Sequence, residues 1–248
     1  MDPAHHMRHT LFLTLFLTFA AHAGEGQYDG LSRGELKTLN SEAFLNAHPD
    51  MKYRLEGWVA FEEGRLEDAL AHFDHASRYG DKLSKAMLAE MHWDGRGVTR
   101  DRALAYAWAD LAAERGYPRL VVLRERYWEG LDEGGRARAI EAGQALYAEY
   151  GDEAAQPRMA RHLRDARRGM AGKRPRRNAE VLVPDGRGGW TRIQGHHFYA
   201  ARFWEPERYR EWVDETWMPP PRGRVDVGDL ETMRVGEPTP DPGADEHP

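Results

Sequence analysis

The sequence predicts a mainly helical fold: a short α-solenoid of helix-turn-helix repeats, followed by a small α+β C-terminal block and a disordered tail. Three observations carry this prediction. Apolar residues recur at helical spacing through residues 51–151, glycines interrupt that pattern at intervals, and small residues repeat at an offset of 36 positions. This combination is typical of stacked helical pairs, in which each pair buries its apolar face against its neighbours.

The clearest unit lies between Ser84 and Gly116. Its first helix is predicted to end at Gly95, because glycine adopts the left-handed conformation of a helix end without a steric penalty. Asp101 is the expected N-cap of the second helix, since its carboxylate can accept hydrogen bonds from free backbone N–H groups. The buried stripe of that second helix is expected to be Leu104, Ala105, Trp108, Leu111 and Ala112.

A family resemblance follows from the residues of this unit. They are Leu88, His92, Gly95, Gly97, Val98, Asp101, Ala105, Trp108, Ala112, Ala113 and Gly116. With them the unit resembles the Sel-like repeat family, a relative of the tetratricopeptide repeat. Ala89 stands where that family usually has glycine, and His92 stands where it usually has an aromatic residue. The resemblance extends over residues 51–151 and implies a protein-interaction scaffold, without naming a partner.

Two more units flank the central one. The preceding unit turns at Gly64 and ends at Gly80, and its Ala69 lies 36 residues before Ala105. The following unit aligns with the central one at an offset of 35 through Leu123, Tyr127, Trp128 and Gly130. Its second helix lacks the paired alanines, as the terminal repeats of a solenoid often do because one of their faces meets water.

The N-terminus has the pattern of a secretory signal peptide over residues 1–23. Arg8 precedes a short apolar run, and Ala21-His22-Ala23 is a small-x-small site, so we expect cleavage after Ala23. The run is about half of the roughly 20 residues that a membrane-spanning helix needs. We therefore expect a periplasmic or secreted protein with no membrane span. Met1 and Met7 both fit as the start, and a buried N-terminal helix is the alternative for the apolar run.

Composition argues against several classes of function. The net charge of −6 argues against general nucleic-acid binding, and the absence of cysteine removes disulfides, cysteine-ligated zinc and thiol catalysis. The chain has no phosphate-binding loop, dinucleotide fingerprint or Gly-x-Ser-x-Gly motif. The sequence therefore predicts no cofactor, no metal ion and no enzymatic activity.

Two segments on either side of the repeats have a different character. Residues 24–50 form a lead-in with weak helical periodicity, which Pro49 is expected to end. Residues 152–177 form a basic helix and linker. The arginines expected on one face of that helix are Arg158, Arg161, Arg164 and Arg168. They predict weak contact with an anionic envelope surface, and the alternative is a solvated helix.

Residues 178–235 form an aromatic-rich module. Val181–Val183 and Trp190–Ile193 predict a β-hairpin, since Asp-Gly and Gly-Gly pairs lie between them. A helix that carries Tyr209, Trp212, Val213 and Trp217 at helical spacing should follow. Residues 236–248 are acidic and proline-rich, and they are expected to be disordered.

The aromatic side chains of this module have two interpretations. They are Trp190, Phe198, Tyr199, Phe203, Trp204, Tyr209, Trp212 and Trp217. The first interpretation is a core, because a small module needs large side chains to bury enough apolar area. The second is a stacking platform for a sugar or a groove for a peptide.

Two histidine pairs are candidate metal ligands. His196 and His197 are adjacent, and in an extended segment they would point to opposite faces, which makes them poor joint ligands. His72 and His75 have an allowed helical spacing, but Phe73 sets the buried face of that helix, so both are expected to be exposed. Neither pair predicts a metal site.

These observations predict an exported, noncatalytic scaffold for protein–protein interaction in the bacterial cell envelope. The partner is expected to be a protein or peptide held by the first helix of each pair. The residues expected to line its surface are Glu56, Ala60, Glu63, Lys85 and Glu90. The alternative is a cell-wall polymer binder, or an envelope-modifying enzyme, that uses the aromatic C-terminal module.

Overall fold

The computed structural model describes residues 31–170, 179–184 and 188–218. Helices α1 to α9 are Arg33–Leu39, Glu42–Ala47, Pro49–Glu62, Leu66–Arg78, Lys82–Asp94, Arg102–Ala113, Pro118–Glu129, Glu133–Tyr150 and Asp152–Met170. Strands β1 (Glu180–Pro184) and β2 (Trp190–Gln194) follow, and then α10 (Gly195–Phe198), α11 (Ala201–Trp204) and α12 (Pro206–Trp217). The prediction of a mainly helical chain with a small two-stranded sheet is confirmed.

Helices α3 to α6 form two antiparallel pairs whose ends match the predicted signals. Gly95 adopts the left-handed conformation at the end of α5, and the Asp101 carboxylate caps α6 by accepting from the Leu104 N–H at 3.0 Å. In the first pair the helices approach closely, because a Cβ atom on Gly57 would lie 2.7 Å from the Phe73 ring. Small residues therefore set the distance between paired helices.

The core of the repeats is built from the predicted stripes. Ala105, Leu111 and Ala112 are fully buried, Trp108 is 5% exposed, and Leu104 packs at the margin. Trp93 of α5 stacks on Tyr127 of α7 with the ring centroids 4.1 Å apart, which joins the second pair to the third.

The third pair differs from the first two. Helix α8 packs mainly against α6 rather than folding back along α7. Its buried residues are only Gly135, Ala139 and Tyr150. Because α8 lacks the alanines that let the other second helices approach their partners, it closes the array as a largely exposed helix.

A second core joins segments that are distant in the sequence. It contains side chains from α1, α2, α9, the hairpin and α11–α12, with Phe44, Leu163 and Phe203 at its centre. The lead-in and the aromatic module therefore pack together on α9.

The lead-in helix α2 ends at Ala47, immediately before His48 and Pro49, as predicted, but a new helix begins at once. Pro49 is the first residue of α3, a position where the missing N–H of proline costs no hydrogen bond. The lead-in instead forms two short helices that separate at Ser41, whose hydroxyl caps α2.

The predicted hairpin is confirmed. Val181 pairs with Ile193 and Val183 with Thr191, so these side chains lie on one face of the sheet, where Val183 and Ile193 are buried. The opposite face carries Trp190 and points away from the core. The signal peptide over residues 1–23, the linker over residues 173–177 and the tail over residues 236–248 lie outside the described residues.

Candidate interaction surface

The central helix α5 is buried along most of its circumference. Its accessible stripe runs through Leu83, Glu90 and Asp94, which fall on one side of the helix. Helices α3 and α7 also have accessible stripes that lead to their last residues, whereas Met87 and Met91, at the corresponding distances from the end of α5, are buried. We call these three stripes the first-helix face, and its residues are Leu55, Val59 and Glu62 of α3, Leu83, Glu90 and Asp94 of α5, and Val122, Glu125 and Glu129 of α7.

The first-helix face presents large apolar side chains to solvent. Val122 is 60% exposed, Val59 is 54% exposed and Leu55 is 40% exposed. Their burial against a partner would contribute favourable free energy at about 25 cal/mol per Å² of apolar surface.

Each of the three helices ends at an exposed acidic residue. Glu62, Asp94 and Glu129 are the last residues of α3, α5 and α7, and none forms an ion pair with any described side chain. A carboxylate at a helix C-terminus meets the negative end of the helix dipole, which is unfavourable by about 0.3–1 kcal/mol. The repetition of this feature gives the face a row of negative charges.

Glu90 lies one turn before Asp94 and is largely enclosed, with 12% of its side chain exposed. Its Oε1 lies 3.5 Å from Arg96, whose guanidinium covers the Phe61 ring, while Oε2 is buried without a hydrogen-bond partner among the described residues. Burial raises the pKa of the Glu90 carboxyl to about 7. Glu90 can therefore accept or donate a hydrogen bond at neutral pH.

The predicted partner-binding residues do not all reach the surface. The placement of Ala60 and Lys85 there is wrong, because both are fully buried. Ala60 packs in the core, and Lys85 Nζ donates to the Tyr150 carbonyl at 2.6 Å. A lysine near a solvent-facing stripe of a helix is expected to be exposed. Only the packing of α8 in the fold shows that Lys85 is covered.

The remaining three predicted residues lie on accessible parts of the first helices. Glu90 belongs to the first-helix face described above. Glu56 is half-buried and lies 3.4 Å from His72, whereas Glu63 is exposed and pairs with Arg65 at 2.6 Å. Of the five predicted residues, only Glu90 thus lies on the first-helix face, one turn before the helix-end carboxylate of Asp94.

The four arginines predicted to share one face of α9 have unequal environments. Arg158 donates to the carbonyls of Arg78 and Glu149, so it serves the packing of α9. Arg161 and Arg164 are exposed, and Arg168 pairs with an acid on its own helix. The predicted contact with an anionic envelope surface stays a prediction for the exposed members.

Most of the aromatic side chains of the C-terminal module are core. Phe198, Phe203, Trp204, Tyr209 and Trp212 are at most 9% exposed. Trp190 differs, because 69% of it is exposed on the outer face of the hairpin. Tyr199 and Trp217 are half-buried, so a stacking platform built from the whole set is excluded for the folded chain, and Trp190 is the most exposed member.

A charged junction, which sequence analysis did not predict, holds α12 on the repeats. The Tyr209 hydroxyl donates to Asp50 Oδ2 at 2.6 Å, although the two residues are 159 positions apart. Arg115 pairs with Asp152 at 2.7 Å and with Asp214 at 3.2 Å. Since local spacing does not reveal pairs of such separation, only the fold brings these residues together.

Part of this junction is an open cleft of about 640 Å³, which Asp50, Trp212 and Trp217 help to line. Asp50 is buried, and its Oδ1 has no hydrogen-bond partner among the described residues. Burial raises the pKa of the Asp50 carboxyl to about 6, against the opposing effect of the Tyr209 hydrogen bond. The junction therefore contains a carboxyl group that titrates near neutral pH.

The histidine pairs occupy different environments from those expected. His196 and His197 lie in α10 with ring centroids 4.0 Å apart, so the prediction that they point to opposite faces of an extended segment is wrong. His72 and His75 are half-buried beside Tyr53 instead of exposed. Within the described ranges, no group of three or more His, Asp or Glu side chains could hold a metal ion.

Comparison with known proteins assigns the chain to no family. No family model matches the chain, and neither the curated proteins nor the solved structures contain a match. In the part of the chain that the structure describes, no helix is both long enough and apolar enough to cross a membrane.

Proposed function

We propose that this chain is an exported, noncatalytic scaffold whose first-helix face binds a basic, amphipathic segment of a protein partner in the cell envelope. One observation carries the proposal. The first helices of three successive pairs each end in an exposed carboxylate, at Glu62, Asp94 and Glu129, with no ion-pair partner among the described residues and with exposed apolar side chains nearby. The resemblance of residues 51–151 to Sel-like repeats supports the same class of function.

The charged and apolar side chains of the first-helix face indicate which kind of partner segment would bind there. Lysine or arginine side chains of a bound segment would pair with the row of carboxylates and relieve their unfavourable interaction with the helix ends. Apolar side chains on the other side of the segment would cover Leu55, Val59 and Val122. An amphipathic segment satisfies both requirements, since it separates its charged and apolar side chains.

Export is part of the proposal and has its own test. The signal-peptide pattern predicts a mature chain that begins at Gly24. N-terminal sequencing of the protein from a periplasmic extract should find that residue first. An uncleaved chain confined to the cytoplasm would contradict the envelope part of the proposal and leave the binding part open to its own test.

The binding part is tested with a labelled amphipathic peptide of lysine and leucine, measured by fluorescence anisotropy. Charge reversal by E62K/D94K/E129K should weaken binding by about tenfold or more, because three pairs of about 0.5 kcal/mol each are replaced by repulsion. The control E141K/E207K/E215K changes the net charge equally at exposed acids elsewhere. Equal weakening of peptide binding by both variants would show that binding depends only on the net charge of the chain, and this would contradict the proposal.

A cell-wall polymer binder is the alternative, and Trp190 is the observation that favours it. An exposed indole on a flat sheet face can stack on a sugar ring. Co-sedimentation of the full chain with purified sacculi should then fall to background in W190A. Retention of the variant on sacculi would remove this alternative.

A further inference from the structure

A second charged surface lies at the turns between the first and second helices of the array. It is an open cleft of about 770 Å³, and its charged lining residues are Arg100, Asp101, Arg102, Asp132 and Arg138. The cleft spans two successive turns, one before α6 and the other before α8. It is therefore formed by the repeat itself, outside the first-helix face.

The three arginines of the cleft have no acidic partner of their own. Arg100, Arg102 and Arg138 are exposed, and none lies within ion-pair distance of a carboxylate of the described residues. In this they differ from Arg65, Arg78, Arg115 and Arg124, which all form ion pairs. Their charges are available to a ligand.

Two of the arginines are held in place by Trp93. The Arg102 guanidinium lies over the indole ring at 4.8 Å from the centroid, and Arg100 Nε donates to the Trp93 carbonyl at 3.0 Å. Trp93 is itself buried and stacked on Tyr127. A guanidinium that rests on a fixed ring loses less conformational entropy when it binds a carboxylate, because part of its freedom is already lost.

The two aspartates of the cleft offset two of its three arginine charges and leave a net positive charge, and each aspartate caps a helix. Asp101 accepts from the Leu104 N–H at 3.0 Å, and Asp132 accepts from the Gly135 N–H at 2.6 Å. The positive ends of α6 and α8 therefore add to the arginine charges. Partial burial and the neighbouring Arg100 lower the pKa of Arg102, and Asp94 offsets this in part.

We propose that this cleft binds a carboxylate-rich segment of a protein partner. Arginine forks match carboxylates in bidentate pairs, and the arrangement of three guanidinium groups around one open cleft fits several carboxylates better than a single ion. The site goes beyond the proposed function, since it uses other residues and the opposite charge. It adjoins the Asp94 end of the first-helix face, so one partner with a basic run and an acidic run could occupy both.

The test uses the full chain and a fluorescein-labelled oligoglutamate peptide, with oligoglutamine of the same length as the uncharged reference. R100Q/R102Q/R138Q should weaken oligoglutamate binding at least tenfold. The matched control R33Q/R192Q/R210Q removes the same charge at exposed arginines elsewhere and should change the affinity less than twofold. Added salt should weaken binding to the unaltered chain, because the contacts are exposed charges.

A second variant separates a loss of binding from a loss of folding, because Arg100 also donates a hydrogen bond to the Trp93 carbonyl. R102Q/R138Q keeps that hydrogen bond and should still weaken oligoglutamate binding several-fold, with an unchanged melting temperature. Equal affinity for both peptides, or an equal loss in the R33Q/R192Q/R210Q control, would overturn the proposal. The same variants should leave binding of the lysine–leucine peptide unchanged, so this inference and the proposed function fail separately.

Discussion

The Tyr209 hydroxyl donates a 2.6 Å hydrogen bond to Asp50, and both side chains are buried. Asp50 lies in the first turn of α3, and Tyr209 lies in α12, so the bond ties the last described helix to the first helix of the array. Burial raises the pKa of Tyr209 well above its ordinary value, so its hydroxyl stays protonated and can donate throughout the physiological range. Together with the Arg115–Asp214 ion pair, this contact joins the aromatic module to the repeats.

Replacement of Tyr209 by phenylalanine should lower the free energy of unfolding by about 1–3 kcal/mol, because it leaves the second oxygen of buried Asp50 without a donor. Urea unfolding followed by tryptophan fluorescence measures the change. Tyr53→Phe is the control, since the Tyr53 ring packs on His75 and its substitution should cost less than about 0.5 kcal/mol. Equal losses in the two variants would show that the Asp50 bond contributes nothing specific.

Lys85 should make stability depend on pH. It is fully buried, and burial together with nearby Lys82 lowers its pKa from 10.5 to about 7 in the folded chain. A lowered pKa means that the unfolded chain holds the proton more tightly, so the contribution is fully present above pH 10.5 and is lost as pH falls through about 7. Between those values the free energy of unfolding should rise with pH by up to about 1.4 kcal/mol per unit.

The comparison with Lys85→Met isolates this effect. The methionine variant should lack the extra slope between pH 7 and 9 and should be more stable than the original chain at pH 7, because no charge has to be buried. Denaturant midpoints at several pH values provide the measurement. Identical slopes in the two proteins would mean that Lys85 is not buried in the way described.

Two tryptophans with opposite exposure provide a test of the core. Trp108 is 5% exposed and packs edge-on against Tyr150, whereas Trp190 is 69% exposed. Trp108→Ala should therefore lower the free energy of unfolding by about 3–5 kcal/mol. Trp190→Ala should change it by less than about 0.5 kcal/mol. A Trp108→Ala protein with an unchanged melting temperature would contradict the packing of α6.

The carboxylates at the ends of α3, α5 and α7 should lower the stability of the fold while they contribute to partner binding. The variant E62Q/D94N/E129Q removes three charges from the negative ends of helix dipoles, so we expect it to be more stable by about 0.3–1 kcal/mol per site. It should at the same time bind the lysine–leucine peptide more weakly. Thermal unfolding at low ionic strength would show the gain, and a loss of stability would contradict a purely functional role for this row.

Much of the helical fold could be predicted, because its signals are local. Gly95, Asp101 and the stripe around Trp108 mark a helix end, an N-cap and a buried face within a few residues of each other, and all three were placed correctly. The end of the lead-in before Pro49 was predicted, but the start of α3 at Pro49 was not, because proline favours the first turn of a helix as well as the region after its end. The packing of α8 on α6 could not be predicted, since it depends on a surface elsewhere in the chain.

The candidate surface was predicted less well. Periodicity identified the core stripes, but a residue next to a stripe is exposed or buried according to what packs on it, as Lys85 under Tyr150 shows. Glu90 lies on the first-helix face but is largely enclosed, and its role in partner binding stays a prediction. The equivalence of Glu62, Asp94 and Glu129 was missed, because the first turn is shorter than the second and hides the alignment of the first helices.

The most direct test of the binding face is site-specific photocrosslinking in cells that export the protein. Val122 on the first-helix face and Ile140 on α8 are equally suited to carry the photoreactive residue, because they are 60% and 58% exposed. We expect a discrete crosslinked adduct from position 122 that disappears in E62K/D94K/E129K, and none from position 140. Adducts of equal yield from both positions, or from 140 alone, would contradict a partner-binding role for the first-helix face.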